Sequence, residues 1–126
     1  MADKVLSYWT TPPNVFLVAT SCSAQQVLGC ISYRKIEEDS VQMHSLSVDP
    51  NFRRCGVGRK MVQALIDIGR ENGYKIMYLE TTSAQLGAIE LYSRMDFSLK
   101  EEKKFGNFLY DALSGLNLIA FTYKLQ

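Results

Sequence analysis

Cysteine is scarce in this sequence, and the three present, Cys22, Cys30 and Cys55, contain no CxxC pair. That count and spacing exclude a disulfide scaffold and a zinc module, so reduced thiols and no metal site are expected. A surplus of one charge is also lacking: 14 Lys and Arg against 13 Asp and Glu leave a net +1. Such a balance gives no broad footprint for nucleic acid or an anionic membrane, so an anion has to be met by a local site. Long apolar runs are missing as well. Leu116 to Phe121 is interrupted by Asn117 and falls far short of the ~20 residues of a spanning helix. Met1-Ala2-Asp3-Lys4 lacks the basic and apolar regions of a signal peptide. These absences predict a soluble chain, cytoplasmic by default.

What is present suits one compact core. The chain has 126 residues, 47% hydrophobic and 21% charged, which predicts a single domain over 1–126 with no repeat, linker or low-complexity segment. Asp3 is expected to cap a short helix through Trp9, ended by Thr10-Thr11-Pro12-Pro13. Phe16–Ala19 and Val27–Tyr33 flank a polar turn and read as an antiparallel hairpin, and Val41–Val48 continues the sheet. After Gly58, Met61, Val62, Leu65, Ile66 and Ile68 recur at helical period, with Asn72-Gly73 as the stop. Tyr74–Thr81 reads as a buried strand, parallel to the one before the helix if that helix is a crossover. Ser83 is placed to cap a second helix, Ala84–Arg94, with Leu86, Ile89 and Met95 facing the core. Phe97–Phe108 and Leu118–Leu125 supply two further strands.

The segment LSVDPNFRRCGVGRKM, residues 46–61, joins a strand to a helix through two glycines. Gly56 and Gly58 remove side chains that would keep a ligand from the backbone, and the first-turn N–H groups of a helix have no intrahelical partners. With Arg53, Arg54, Arg59 and Lys60 nearby, this is a cradle for a pyrophosphate. The bland alternative is a tightened turn with solvated arginines. Met61 stands where GxGxxG needs its third glycine, and no GKS or GKT follows, so the common nucleotide motifs lose support.

Leu46, Val48, Pro50, Phe52, Arg53, Gly56, Val57 and Gly58 together resemble the acetyl-CoA-binding motif of the GNAT superfamily of N-acetyltransferases. AIELYSRMDF, residues 88–97, resembles that superfamily's A-x-x-L-Y-x-x-x-G-F helix end, and the likeness runs over residues 14–125, nearest to the camello-like branch. The resemblance implies an α/β (α+β) fold: a mixed, mostly antiparallel sheet with a central, splayed parallel pair and flanking helices. It implies acetyl-CoA as co-substrate, with pyrophosphate on the loop Arg53, Arg54, Cys55, Gly56, Val57, Gly58, Arg59 and Lys60. The pantetheine arm would then lie along Leu46, Ser47 and Val48, with Gln85 and Ala88 beside it. Arg54 stands where glycine is common, Gln85 where asparagine is frequent, and Asp96 where glycine usually ends the helix. Asp96 is thereby expected in a left-handed turn, which Asp tolerates better than most residues.

Acetyl transfer to an amine needs a neutral amine, a stabilised oxyanion and a proton for the leaving thiolate. Glu80, at the end of the central strand, is the leading base, against the alternative of a solvated rim carboxylate. Tyr92 matches the superfamily tyrosine that protonates the thiolate, against a core-packing alternative, and the Val48 N–H is the expected oxyanion donor. His44 alternates onto one strand face with Gln42 and Leu46 and ranks behind Glu80 for the proton. Cys55 is read as a loop residue, since direct transfer needs no acyl-cysteine.

Superfamily domains begin with a strand and two helices that wall the acceptor site, whereas thirteen residues precede the first strand read here, which predicts truncation at the N-terminus. Camello-like proteins carry a membrane segment ahead of this domain and are associated with the endoplasmic reticulum. The resemblance therefore implies an N-acetyltransferase of small amines, amino-acid conjugates or protein lysine, in a fold where homodimers are common. The alternative is a CoA-binding or partner-binding domain without turnover.

Overall fold

A computed structural model describes residues 4–11, 13–21, 26–103 and 115–126. Its strands are β1 (Lys4–Thr11), β2 (Asn14–Ser21), β3 (Val27–Glu37), β4 (Ser40–Val48), β5 (Ile76–Thr82), β6 (Ser98–Lys103) and β7 (Leu118–Lys124). They form one sheet in the order β1-β2-β3-β4-β5-β7-β6. Helix α1 (Val57–Glu71) connects β4 to β5, and α2 (Leu86–Arg94) follows β5. Only β4 and β5 pair in parallel; every other neighbour is antiparallel. A mixed, mostly antiparallel sheet with one central parallel pair is thus observed, as expected.

The first element differs from expectation. Lys4–Thr11 is a strand, paired with β2 from Lys4↔Ser21 to Thr11↔Asn14. Its run of aromatic and β-branched residues suits a pleated surface, and the neighbouring strand edge supplies hydrogen bonds that an isolated helix of this length would lack. The N-terminal strand expected to be missing is therefore present, joined to β2 by residues 12–13 alone, with no intervening helices. The proposed cap, Asp3, lies outside the described residues.

The core lies between one sheet face and the two helices. Val15, Leu17, Ile31, Tyr33, Val41, Met43, Met77, Leu79 and Phe121 are buried from the sheet, and Val57, Met61, Val62, Leu65 and Ile66 from α1. The helical spacing of that second group puts them on one face, which explains why α1 forms here. A side chain built on Gly58 would touch both Leu91 of α2 and Val48 of β4, so the two helices sit side by side over the sheet. Right-handed crossovers moving in one direction across a sheet place both helices on the same face.

Both helices end in the same device. In α1, Gly73 N–H reaches Arg70 O and Tyr74 N–H reaches Gly69 O, with Gly73 at φ 84°. This is the Schellman arrangement expected at Asn72-Gly73. The expected strand over Tyr74–Thr81 starts two residues later, because Tyr74 completes this cap and packs edge-on against Tyr33 with centroids 5.9 Å apart. In α2, Asp96 N–H reaches Ser93 O and Phe97 N–H reaches Tyr92 O, with Asp96 at φ 68°. Aspartate therefore takes the left-handed position that glycine usually fills. The apolar contact that accompanies the motif is Tyr92 against Phe97, centroids 5.5 Å apart.

At its start α2 departs from the sequence reading. It begins at Leu86, Gln85 occupies the cap position, and no side chain caps it. The Ser83 hydroxyl instead accepts from the Asn117 N–H at 2.9 Å, tying the end of β5 to the lead-in of β7. Leu86, expected in the core, is 73% exposed, whereas Ile89 packs against the core and Met95 is buried. The strand expected over Phe97–Phe108 spans Ser98–Lys103, and residues 104–114 lie outside the described chain.

Candidate active site

The parallel ladder between β4 and β5 is short: Ser40↔Ile76, Val41↔Met77 and Gln42↔Tyr78. Beyond Gln42 the strands diverge, and a cleft opens toward the C-terminal ends of both. A bulge in β4 accompanies the divergence. Pairing with β3 shifts by one residue between Ser32↔His44 and Cys30↔Ser47, and Ser45 there has φ 61°.

The bulge changes which side chains share a face. Val41 and Met43 are buried before it, and Leu46 and Val48 pack against the same core after it. The expected single face for Gln42, His44 and Leu46 is therefore corrected: His44 stays with Gln42, while Leu46 turns into the core, because the extra residue inverts the two-residue alternation. Ser45 and Ser47 are exposed. Asp49 N–H bonds to Leu28 O at 2.7 Å, on the β3 side. Since successive N–H groups of a strand point to opposite edges, the Val48 N–H is turned into the cleft.

From the cleft the chain turns directly into α1. Asp49 accepts from Asn51 N–H at 2.8 Å and caps a single turn of tight helix, Pro50–Phe52. Arg54 and Gly56 both take left-handed conformations, φ 63° and 79°, an alternation that turns successive N–H groups into a concavity. The Arg54 position thus keeps glycine-like geometry while adding charge. No side chain caps α1, and its first turn carries no acidic residue. The first bond closing the helix is Lys60 N–H to Gly56 O, so the N–H groups of Val57, Gly58 and Arg59 precede it. Arg53, Arg54, Arg59 and Lys60 are exposed around them, and none joins an ion pair among the described residues. Cys55 is exposed in this loop.

On the face opposite the helices, His44 and Glu80 occupy β4 and β5 beyond the point where the strands part. His44 Nε2 is buried and has no hydrogen-bond partner among the described residues. Burial first, then the Arg34 charge, lowers its pKa from 6.5, and Glu80 opposes both. A neutral imidazole near neutral pH follows. Glu80 is exposed. Tyr78 lies two residues before it, its pKa pushed up to about 12 by burial, then by its hydrogen bond to Glu80 and the charges of Glu80 and Glu101. Lys100 Nζ stands 5.1 Å from the Tyr78 ring centroid. Beside His44 a concavity of about 520 Å³ is lined by Asn14, Phe16, Ser32, Arg34 and Ser45, among others. Sequence spacing does not single out Arg34 or Tyr78; the signal was their parity with His44 and Glu80 along paired strands.

Tyr92 is buried, with its ring 5.5 Å from Phe97 and 5.8 Å from Phe121. Burial pushes its phenol up to about 12. Gln85 accepts from the Thr81 hydroxyl at 3.2 Å and is exposed, and Ala88 packs at the edge of the core. The structure thus places His44 and Glu80 on the open face of β4 and β5 past the end of their ladder and the Val48 N–H on the edge of β4 that faces β5, with Arg53–Lys60 in the loop that leads into α1. Tyr92 is held in the core beneath α2.

A splayed parallel pair opening onto a glycine-entered helix defines an acetyltransferase fold of the GNAT type. Residues 2–97 match the Acetyltransferase (GNAT) family, and the chain belongs to it. It is 30% identical over 128 residues to N-acetyltransferase 8B of Rattus norvegicus, covering 98% of this chain and 56% of that protein. It is 29% identical over 128 residues to "Probable N-acetyltransferase camello" of Xenopus laevis, covering all of this chain and 57% of the relative. The chain therefore spans little more than half the length of these relatives. A GNAT family acetyltransferase from Elizabethkingia anophelis with acetyl-CoA bound superposes with TM-score 0.79 at 16% identity, over 96% of this chain and 97% of that one. Among the described residues no helix is long and apolar enough to cross a membrane.

Proposed function

We propose that this chain transfers the acetyl group of acetyl-CoA to a primary amine by direct attack. The observation that carries this reading is the parallel ladder that stops after three pairs, in a strand that leads on to an uncapped helix entered through Gly56. The residues present fit CoA: left-handed Arg54 and Gly56, the N–H groups of Val57, Gly58 and Arg59, and four cations suit a pyrophosphate. Leu46, Ser47 and Val48 offer a strand edge for the pantetheine amides, and Gln85 and Ala88, at the start of α2, are the residues that the resemblance sets beside that arm.

In this reading Glu80 takes the amine proton, directly or through water, and neutral His44 stands beside it as a second acceptor. The Val48 N–H receives the charge that develops on the carbonyl oxygen. As the C–S bond breaks, the sulfur takes a proton from Tyr92, which burial keeps fully protonated at neutral pH. The acceptor is a small amine, an amino-acid conjugate or a protein lysine. A single domain over 1–126, a homodimer, and endoplasmic-reticulum membrane residence as part of a longer protein belong to the same proposal.

CoA binding without turnover is the second reading, favoured by the direct β1–β2 connection, which leaves the cleft without a helical wall among the described residues. Calorimetric titration with acetyl-CoA, with ATP as control, followed by an amine screen, separates the two. Binding and amine-dependent thiol release support the enzyme; saturable binding without release supports the second reading. ATP binding in place of acetyl-CoA defeats both.

A further inference from the structure

Glu80 stands where the sheet gives its side chain little support. The ladder with β4 ends at Gln42↔Tyr78, two residues earlier, and the partner of Glu80 on β7 is Ala120, whose methyl group cannot hydrogen-bond. The carboxylate is exposed, and an unheld glutamate side chain spreads over many rotamers. A base has to lie within hydrogen-bond reach of the proton it takes, so its direction matters as much as its presence.

Tyr78 is placed to supply that direction. Residues two apart on a strand share a face and lie ~6–7 Å apart along it, a gap that a tyrosine leaning along the strand spans. The phenol hydrogen-bonds Glu80, and because an ionised carboxylate only accepts, the phenol is the donor. The half-buried ring is held in turn from β6. That strand follows β7 at Ser98↔Thr122 and Leu99↔Phe121, then slips by one residue before Glu101↔Ala120. Lys100 is the extra residue of this bulge, and its Nζ stands 5.1 Å from the Tyr78 ring centroid, within cation–π range. We infer that Tyr78 is a positioning residue for acetyl transfer: held by Lys100, its hydroxyl fixes the Glu80 carboxylate in the orientation from which it receives the amine proton. This inference rests on the reading of Glu80 as proton acceptor. With its pKa pushed up to about 12, the phenol stays a donor at neutral pH and does not compete for that proton.

The test uses the whole chain with saturating acetyl-CoA and a primary amine from the screen, phenethylamine first. Tyr78→Phe keeps the ring under Lys100 and removes only the hydroxyl. Its kcat is expected to fall about ten- to hundredfold, the scale on which misplacing a reacting group acts, with KM for the amine and acetyl-CoA affinity near those of the parent. In a Glu80→Gln background the same substitution should cost nothing further, since no base is left to aim. Lys100→Met should lower kcat by a smaller factor, which Lys100→Arg restores. An unchanged kcat in Tyr78→Phe, a loss carried by KM, or an undiminished loss in the Glu80→Gln background overturns the inference. A second readout needs no turnover. Among the seven tyrosines, the ring-carbon signal of Tyr78 is the one that disappears in Tyr78→Phe. In the parent chain it should move as pH falls through the carboxylate range, keep that movement in Glu101→Gln and lose it in Glu80→Gln. Movement lost in Glu101→Gln instead, or none in the parent, counts against the contact. Absence of acetyl transfer to every amine in the screen defeats the enzyme reading instead, and the tyrosine signals still decide whether Tyr78 holds Glu80.

Discussion

Gly29 on β3 lies directly opposite Val48 on β4, and a methyl group added to Gly29 would stand 3.3 Å from Val48 Cα and closer still to the Ser47 carbonyl oxygen. The second contact is backbone and cannot swing aside, while the Met61 methyl, 2.9 Å away, closes the remaining space. Gly29→Ala is therefore expected to cost about 1–3 kcal/mol, the usual range for overpacking. Because the displaced segment carries the Val48 N–H, acetyl-CoA affinity should fall with it. A denaturation midpoint equal to that of the parent would show that β4 yields freely here.

Two non-glycine residues hold left-handed turns, and glycine at each should report differently. Asp96→Gly relieves the turn after α2 and should stabilise by up to about 1 kcal/mol, allowing for the looser unfolded chain. Arg54→Gly relieves a similar turn but deletes a cation from the cradle, so acetyl-CoA binding should weaken while stability holds. Binding unchanged in Arg54→Gly, across a range of salt concentrations, would remove that residue from the phosphate site.

His44 gives a pH signature with a definite sign. Its pKa is lowered in the folded chain from 6.5, so the unfolded chain binds more protons in the window below that value. Stability from this group is complete above pH 6.5 and is lost as pH falls through the folded pKa. The imidazole signals should titrate with a midpoint under 6.5. Glu80→Gln should move that midpoint further down, and Arg34→Gln up. A midpoint at or above 6.5 sinks the neutral-imidazole assignment.

Tyr92→Phe keeps the ring that packs on Phe97 and Phe121 and removes only the hydroxyl. Turnover should drop by about tenfold or more, with acetyl-CoA affinity and thermal midpoint close to the parent. A rate equal to that of the parent would leave Tyr92 as core alone.

Much of this architecture was legible because local and global signals agree. Apolar spacing along α1, the Asn72-Gly73 stop and the strands β2 to β5 follow from periodicity, and the left-handed Asp96 follows from the helix-end motif. Three features were not legible, each for a physical reason. Lys4–Thr11 is flanked by a plausible helix cap, Asp3, and a proline stop, Pro12-Pro13, and only a partner edge in β2 decides for strand. Ser83 is drawn to the Asn117 N–H, a partner 34 residues away. The bulge at Ser45 accompanies the parting of β4 from β5, so simple alternation along β4 misplaces Leu46.

That same bulge makes β4 two half-strands of opposite phase. The first half sends Val41 and Met43 into the core and leaves His44 outside, and the second returns Leu46 and Val48 to the core. What must be preserved there is a count of residues rather than their identity. Exchanging Ser45 for glycine should be harmless, whereas removing it would rotate everything downstream by half a turn of the pleat, exposing two apolar side chains and pointing the Val48 N–H away from the cleft.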